Sequence, residues 1–291
     1  RKNEVLSFIR QGLEDFSISR STKRTKGWGI PVPGDSSQII YVWFDALLNY
    51  ITALGFGQDA KAFQEFWEGK DSHKVHVIGK GIIRFHAIYW PAMLLSAGIS
   101  LPNEELVHGY VTVNGQKISK SLGNVIDPFA VVQKYGTDAT RYYLLKEINP
   151  FKDGDFSFER FEELFNADLA NGLGNLVQRV AKLCEKHSLS VIDKTDHSFD
   201  PAVAKTLQTY EFHLAMEAIW GLVAQANRQV DETKPWTLTG DDAKKVLLGL
   251  ADTINVIAFN LQPFLPQTAK MIKTVFSGKV TAPAKPLFPR I

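Results

Sequence analysis

The hydrophobic pattern changes character along the chain. At first, short apolar runs bounded by glycine and polar turns alternate with segments of helical spacing. Val5, Leu6, Phe8, Ile9 and Leu13 predict a short amphipathic helix over 4–16. Gln38 to Phe44 is an apolar, β-branched run of buried-strand length, and Asp45 then opens a helix through Ala46, Tyr50 and Leu54 that Gly55 closes. Lys74 to Ile78 reads as a second buried strand. Gly79-Lys80-Gly81 follows, then a helix from Ile82 that Pro91 should kink. His108 to Val113 alternates apolar and polar positions and turns at Asn114-Gly115, the signature of a ribbon. Asp127 and Pro128 have the form of an N-cap and first helical residue, Gly136 of a stop, and Thr137 or Asp138 of the next cap. From Phe158 onward no strand is predicted. Helical patterns over 160–186, 201–233 and 241–276, parted by polar stretches, predict an antiparallel α-helix bundle. The fold class is therefore α/β followed by all-α.

Composition narrows the function classes. The 291 residues leave room for about two domains at roughly 150 residues each. With 45% hydrophobic and 22% charged residues the balance is that of an ordinary soluble protein. A net charge of +2 means that any polyanion must be met by local basic groups and not by a global field. The lone Cys184 excludes an intrachain disulfide and a cysteine-rich zinc site within these residues, and suits a reducing, cytoplasmic setting. No apolar run reaches the roughly 18 residues of a membrane span, and no signal-peptide pattern is present. The start at Arg1, inside a polar helix-like segment, is expected of a fragment.

Candidate chemistry concentrates in few places. Lys117-Ile118-Ser119-Lys120-Ser121, just past the ribbon turn, offers two point charges and hydroxyl donors to an anion; its plainer reading is a solvated loop. Arg20, Lys23, Arg24 and Lys26 form either a solvated basic loop or a phosphate-facing one. Trp43, Ala46 and Tyr50 fall near the expected carboxyl end of a strand, where open α/β sheets bind ligands, although each aromatic also suits core packing. Gly79-Lys80-Gly81 between strand and helix either presents free N–H groups or simply connects. Ile82 and His86 share a helix face, as do Asn175 and Arg179. By themselves His86 reads as a core histidine, Asn175 and Arg179 as a solvent-facing pair, and Trp236 as helix-end packing.

The lysine pentad resembles the KMSKS signature of class I aminoacyl-tRNA synthetases, with Ile118 as a volume-conserving replacement for Met. Its flanks, His108-Gly109-Tyr110-Val111-Thr112-Val113-Asn114-Gly115 before and Leu122 to Pro128 after, resemble the methionyl-tRNA synthetase family. So do Tyr41 to Ala46, Ile78-Gly79-Lys80, Arg84-Phe85-His86, Asn175 with Arg179, Asp231-Glu232 and Pro235-Trp236. No His-x-Gly-His motif and no cysteine zinc knuckle occurs. The resemblance therefore implies the second half of a Rossmann-type nucleotide-binding domain (1–108), a KMSKS loop and stem-contact unit (109–157), and an α-helical anticodon-binding domain (158–291). A zinc site would lie in the part not represented.

The resemblance further implies ATP with Mg²⁺, L-methionine and tRNA(Met) as substrates and partners, with the amino-terminal half as a further partner and no membrane. It assigns catalysis to Lys117 and Lys120. ATP contacts fall to Gly79, His108, Val111 and both lysines, and the methionine pocket to Trp43, Ala46, Tyr50, Ile82 and His86. Asn175, Arg179 and Trp236 would read the CAU anticodon. Where the family usually carries Asp, this chain has Gly81, which implies weaker or rearranged nucleotide binding. Two alternatives stand beside this: a catalytically inactive tRNA-binding fragment or split subunit, and a class I enzyme for leucine, isoleucine or valine, against which Trp43, Tyr50 and His86 argue.

Overall fold

The computed structural model describes residues 1–58, 61–119, 121, 123–192 and 197–291. They form two compact units, Arg1–His108 and Gly109–Ile291. No helix among the described residues is long and apolar enough to cross a membrane.

In the first unit the strands Val75–Gly79 and Glu104–His108 pair in parallel, with register running from Val75 opposite Glu104 to Gly79 opposite His108. The crossover between them is helical throughout much of its length: a 3₁₀ turn at Lys80–Ile82, a π-helical turn at Phe85–Tyr89, and the α-helix Trp90–Ala97. Pro91 sits in the first turn of that α-helix, which runs on directly from the π-helical turn, so its missing N–H falls where the helical hydrogen-bond pattern changes. The expected kink is thus expressed as a wide turn just upstream, a common place for the backbone to absorb an extra residue. Alternation puts His76 and Ile78 inward and Val77 outward on the first strand.

Two expectations for this unit need correction. The run Gln38 to Phe44 is not one strand. The strand is Asp35–Ile40, paired antiparallel between Ser19–Ser21 and Pro31–Val32, so Trp43 does not end a strand of the parallel sheet. Tyr41 N donates to Ile18 O, and Phe44 N then turns back to Tyr41 O, so Val42–Leu47 is already helix with Trp43, Phe44 and Asp45 inside it. A short apolar, aromatic run fits either conformation, and only these backbone partners decide. The first helix, Lys2–Arg10, is also shorter than 4–16 and stops before Gly12, whose φ is +97°.

The second unit begins with a small sheet. Val111–Val113 pairs antiparallel with Gln116–Lys117 across Asn114 and Gly115, whose φ values of +50° and +73° are those of the Asn-Gly hairpin turn anticipated from the sequence. Its other neighbour, the parallel strand Gly154–Phe156, was not anticipated. Pro128–Tyr135 starts as expected, with Asp127 Oδ1 accepting from Phe129 N at 2.9 Å. The next helix, Thr137–Lys146, is a correction. Neither Thr137 nor Asp138 caps it; Gly136 occupies the cap, and Asp138 is buried with its carboxylate accepting from Thr268 N.

The helical patterns of the bundle are present but subdivided. Phe158–Leu164 runs on through a π-helical stretch, Phe165–Gly174, into Asn175–Lys186. The 201–233 pattern splits into Pro201–Gln208 and Phe212–Thr233 at Tyr210, whose φ is +58°, and the last becomes Gly240–Leu261 and Pro266–Val275. One hydrophobic core joins Tyr142, Phe161, Leu173, Val180, Ile219 and Ile254. A strand pair was missed here as well: Ser190–Val191 lies antiparallel to Gly278–Lys279, each too short to leave a periodic signal.

Candidate functional site

In the first unit the crossover, the Val42–Leu47 helix and the Asn49–Thr52 turn after it bring together four of the five residues assigned to the amino acid pocket. Tyr50 and His86 join through a hydrogen bond of 2.9 Å between the hydroxyl and Nε2. His86 Nδ1 lies 3.1 Å from the carbonyl of Ile82. A carbonyl only accepts, so Nδ1 carries the ring proton and the Tyr50 hydroxyl donates to the bare Nε2. Trp43 meets the His86 ring edge-on at 6.1 Å between centres and stacks on Phe85 at 4.3 Å. Burial first, and the Glu105 carboxylate second, push the Tyr50 phenol above its ordinary value. Ala46 is half-buried on the same short helix as Trp43.

Sequence reasoning missed several members of this cluster. Phe85 and Tyr89 extend it, and Phe16 stacks on Tyr89 at 4.4 Å. His76 lies beneath Tyr50 at 4.2 Å between ring centres and accepts a hydrogen bond from the indole of Trp90. Alternation along Val75–Gly79 was the one available signal for His76. At the carboxyl ends of the parallel strands, Gly79 faces His108: a Cβ built on Gly79 would stand 3.6 Å from the His108 ring. Two residues assigned to ATP are therefore register partners at the edge where such sheets bind ligands.

In the second unit the lysine hairpin is pinned by carboxylates that the sequence did not single out. Asp155 Oδ1 accepts from Thr112 Oγ1 and from Gly115 N, both at 2.7 Å, and Asp153 Oδ1 accepts from Tyr110 N at 2.9 Å. Gly109 is required by close approach, because an added Cβ would fall 1.9 Å from the carbonyl oxygen of Lys152. Beyond the hairpin, Asn124 grips both sides of the loop: its Oδ1 accepts from Ser119 N at 2.8 Å and its Nδ2 donates to Lys117 O at 3.1 Å. Lys117 is exposed, with its amine 5.7 Å from the centre of the Tyr110 ring. Val111 is half-buried in the hairpin. Lys120 lies outside the described residues.

In the bundle, Arg179 reaches the loop after Phe212–Thr233. Its guanidinium pairs with Asp231 at 3.1 Å and lies 5.6 Å from the centre of the Trp236 ring, which is 46% exposed. Asn175 is exposed one turn earlier on the same helix. Lys234, with φ at +43°, and Pro235 fix the turn that presents the indole. Among the described residues no group of three or more His, Cys, Asp or Glu side chains could hold a metal ion.

A family model described as tRNA synthetases class I (M) matches residues 1–181. The chain belongs to that family. Among curated class I relatives, the methionine–tRNA ligase of Fusobacterium nucleatum is 42% identical across 100% of this chain and 51% of its own length. That of Mesorhizobium japonicum is 44% identical over 92% of this chain and 54% of its own. The chain thus spans about half the length of the curated relatives it matches. Among solved structures, the methionyl-tRNA synthetase of Mycobacterium tuberculosis in complex with methionyl-adenylate is 34% identical with a TM-score of 0.83, covering 99% of this chain and 63% of that one. Its apo form gives 0.79 at 32% identity.

Proposed function

We propose that this chain is the KMSKS-bearing and tRNA-reading portion of a methionine–tRNA ligase. The observation that carries the reading is the Tyr50–His86 hydrogen bond inside a ring of aromatic side chains. Aromatic walls suit an unbranched thioether, because sulfur makes favourable contacts with ring edges and a flexible chain needs close walls to be distinguished from isosteres. Leucine, isoleucine and valine carry no sulfur and are branched.

In the first step a methionine carboxylate oxygen attacks the α-phosphorus of MgATP, and the bond to the bridging oxygen breaks to release pyrophosphate. Negative charge grows on the phosphate oxygens, and Lys117 and Lys120 would meet it. Gly79, His108 and Val111 would take the adenosine. In the second step a hydroxyl of the terminal tRNA ribose attacks the adenylate carbonyl and AMP leaves. The methionyl-adenylate held by the Mycobacterium tuberculosis neighbour supports the same intermediate. Arg179, Asn175 and Trp236 offer guanidinium, amide and indole groups, the usual partners of splayed single-stranded bases. We assign 1–108 to nucleotide binding, 109–157 to the stem-contact unit and 158–291 to the anticodon, in a cytoplasmic enzyme.

The test is methionine-dependent exchange of labelled pyrophosphate into ATP. We expect none from the 291-residue chain alone. Exchange should appear when the amino-terminal half of a methionine–tRNA ligase relative is joined to it. Exchange driven by leucine, isoleucine or valine in place of methionine overturns the reading.

A further inference from the structure

Trp90 is fully buried, and its indole nitrogen, which can only donate, has His76 Nε2 as acceptor at 3.1 Å. That contact fixes the chemistry of the imidazole. Nε2 must present a lone pair, so the single ring proton sits on Nδ1. The ring lies in an aromatic nest, with ring centres of Tyr50 at 4.2 Å, Trp67 at 6.1 Å and His86 at 6.2 Å. Tyr50 spans the gap between the two histidines: its ring rests against His76 and its hydroxyl donates to His86.

We propose that His76 is a positioning residue for the amino acid pocket: locked by Trp90 as the Nδ1–H tautomer, it sets the plane of the Tyr50 ring and thereby the hydroxyl contact to His86. The substrate in this statement rests on the function proposed above; the tautomer and the contact do not. A second proton would turn the acceptor into a donor aimed at another donor. It would also place a charge among rings with no carboxylate bonded to it among the described residues. Burial first, and His86 second, accordingly push the His76 imidazole down to about 4.

Ring nitrogens of the ¹⁵N-labelled chain report tautomers through long-range proton–nitrogen correlation. The expected spectrum at pH 6 shows His76 with a protonated Nδ1 and a bare Nε2. His76→Phe keeps a flat ring without an acceptor and should move the His86 ring shifts, Nε2 above all, toward those of a ring that has lost its Tyr50 hydrogen bond, as Tyr50→Phe should. His76→Gln, whose side-chain oxygen can still take the Trp90 N–H, should leave them near wild type. If His76→Phe does not fold, Trp90→Phe asks the same question from the donor side and should release His76 into exchange between tautomers.

In the joined, exchange-competent enzyme, His76→Phe should raise the methionine KM about tenfold and change kcat by less than about twofold. The His76→Phe/Tyr50→Phe pair should then be no worse than Tyr50→Phe alone, because one acts through the other. An Nε2-protonated or doubly protonated His76 at pH 6, or additive losses in the double variant, overturns the proposal. A wild-type joined enzyme that ignores methionine overturns the functional reading instead, and the nitrogen shifts then decide the case for His76.

Discussion

At the scale of single residues, the proposed chemistry separates side chains by the step they serve. Lys120, matched by its place in the pentad, would meet charge that exists only as the α-phosphate is attacked. Lys120→Ala should therefore slow pyrophosphate exchange by about a hundredfold or more while leaving methionine affinity nearly unchanged. Parallel losses in both would assign the lysine to folding. Trp236 is set apart by its exposed indole beside Arg179. Base stacking on such a ring is worth about 1–3 kcal/mol. Trp236→Ala should accordingly weaken tRNA binding about tenfold or more and spare exchange, read by filter binding beside the exchange assay. A matching fall in exchange would remove Trp236 from tRNA reading.

At the scale of elements, the paired parallel strands carry two ionisable residues in register, His76 opposite Glu105. Burial pushes His76 down to about 4 and Glu105 up to about 7. The two act on stability with opposite sign. His76 binds its proton more readily unfolded, so its contribution is present above about 6.5 and is lost as pH falls toward 4. Glu105 binds its proton more readily folded, so its contribution is present below about 4.5 and is lost as pH rises through 7. Between about 4.5 and 6.5 the two slopes offset each other, and the wild-type melting temperature should be nearly flat. Glu105→Gln removes one slope, so its melting temperature should climb steadily from pH 4.5 to 6.5. A flat profile for the variant would disprove the pairing of these effects.

The hairpin illustrates what the sequence could and could not disclose at this scale. Asn114-Gly115 encodes its turn locally, through two positive φ values that few other residue pairs accept. Asp155 and Asn124, which hold the hairpin and its loop, are partners over 40 and 5 residues and leave no periodic trace. The same holds in the aromatic cluster. Trp43 and His86 drew attention because they sit in recognisable motifs, whereas the bond from Trp90 to His76 spans 14 residues and a change of secondary structure. Strand and helix in 35–47 were confused because hydrophobicity alone does not choose between them.

At the scale of the molecule, the two compact units differ in how they bury apolar surface. Gly109–Ile291 is built on one continuous core. Among the described residues, Arg1–His108 holds two separate smaller clusters, one around Trp67 and Trp90 and one around Ile78 and Val107. Small cores leave little margin over the entropy of ordering the chain. Expressed alone, residues 109–291 should melt cooperatively with a strong helical signal, and residues 1–108 should melt broadly. Calorimetry on the two pieces checks both, and a sharp transition in 1–108 would contradict the division.

The wide turn at Phe85–Tyr89 has a consequence for what changes this protein tolerates. Each residue of an α-helix advances the side chains by about 100°, so one residue more or fewer ahead of Trp90 would rotate His86 out of line with Tyr50. Exchanging one amino acid for another in that stretch alters shape or polarity but preserves angular phase. Lengthening or shortening it destroys the phase outright, and no neighbouring side chain can compensate.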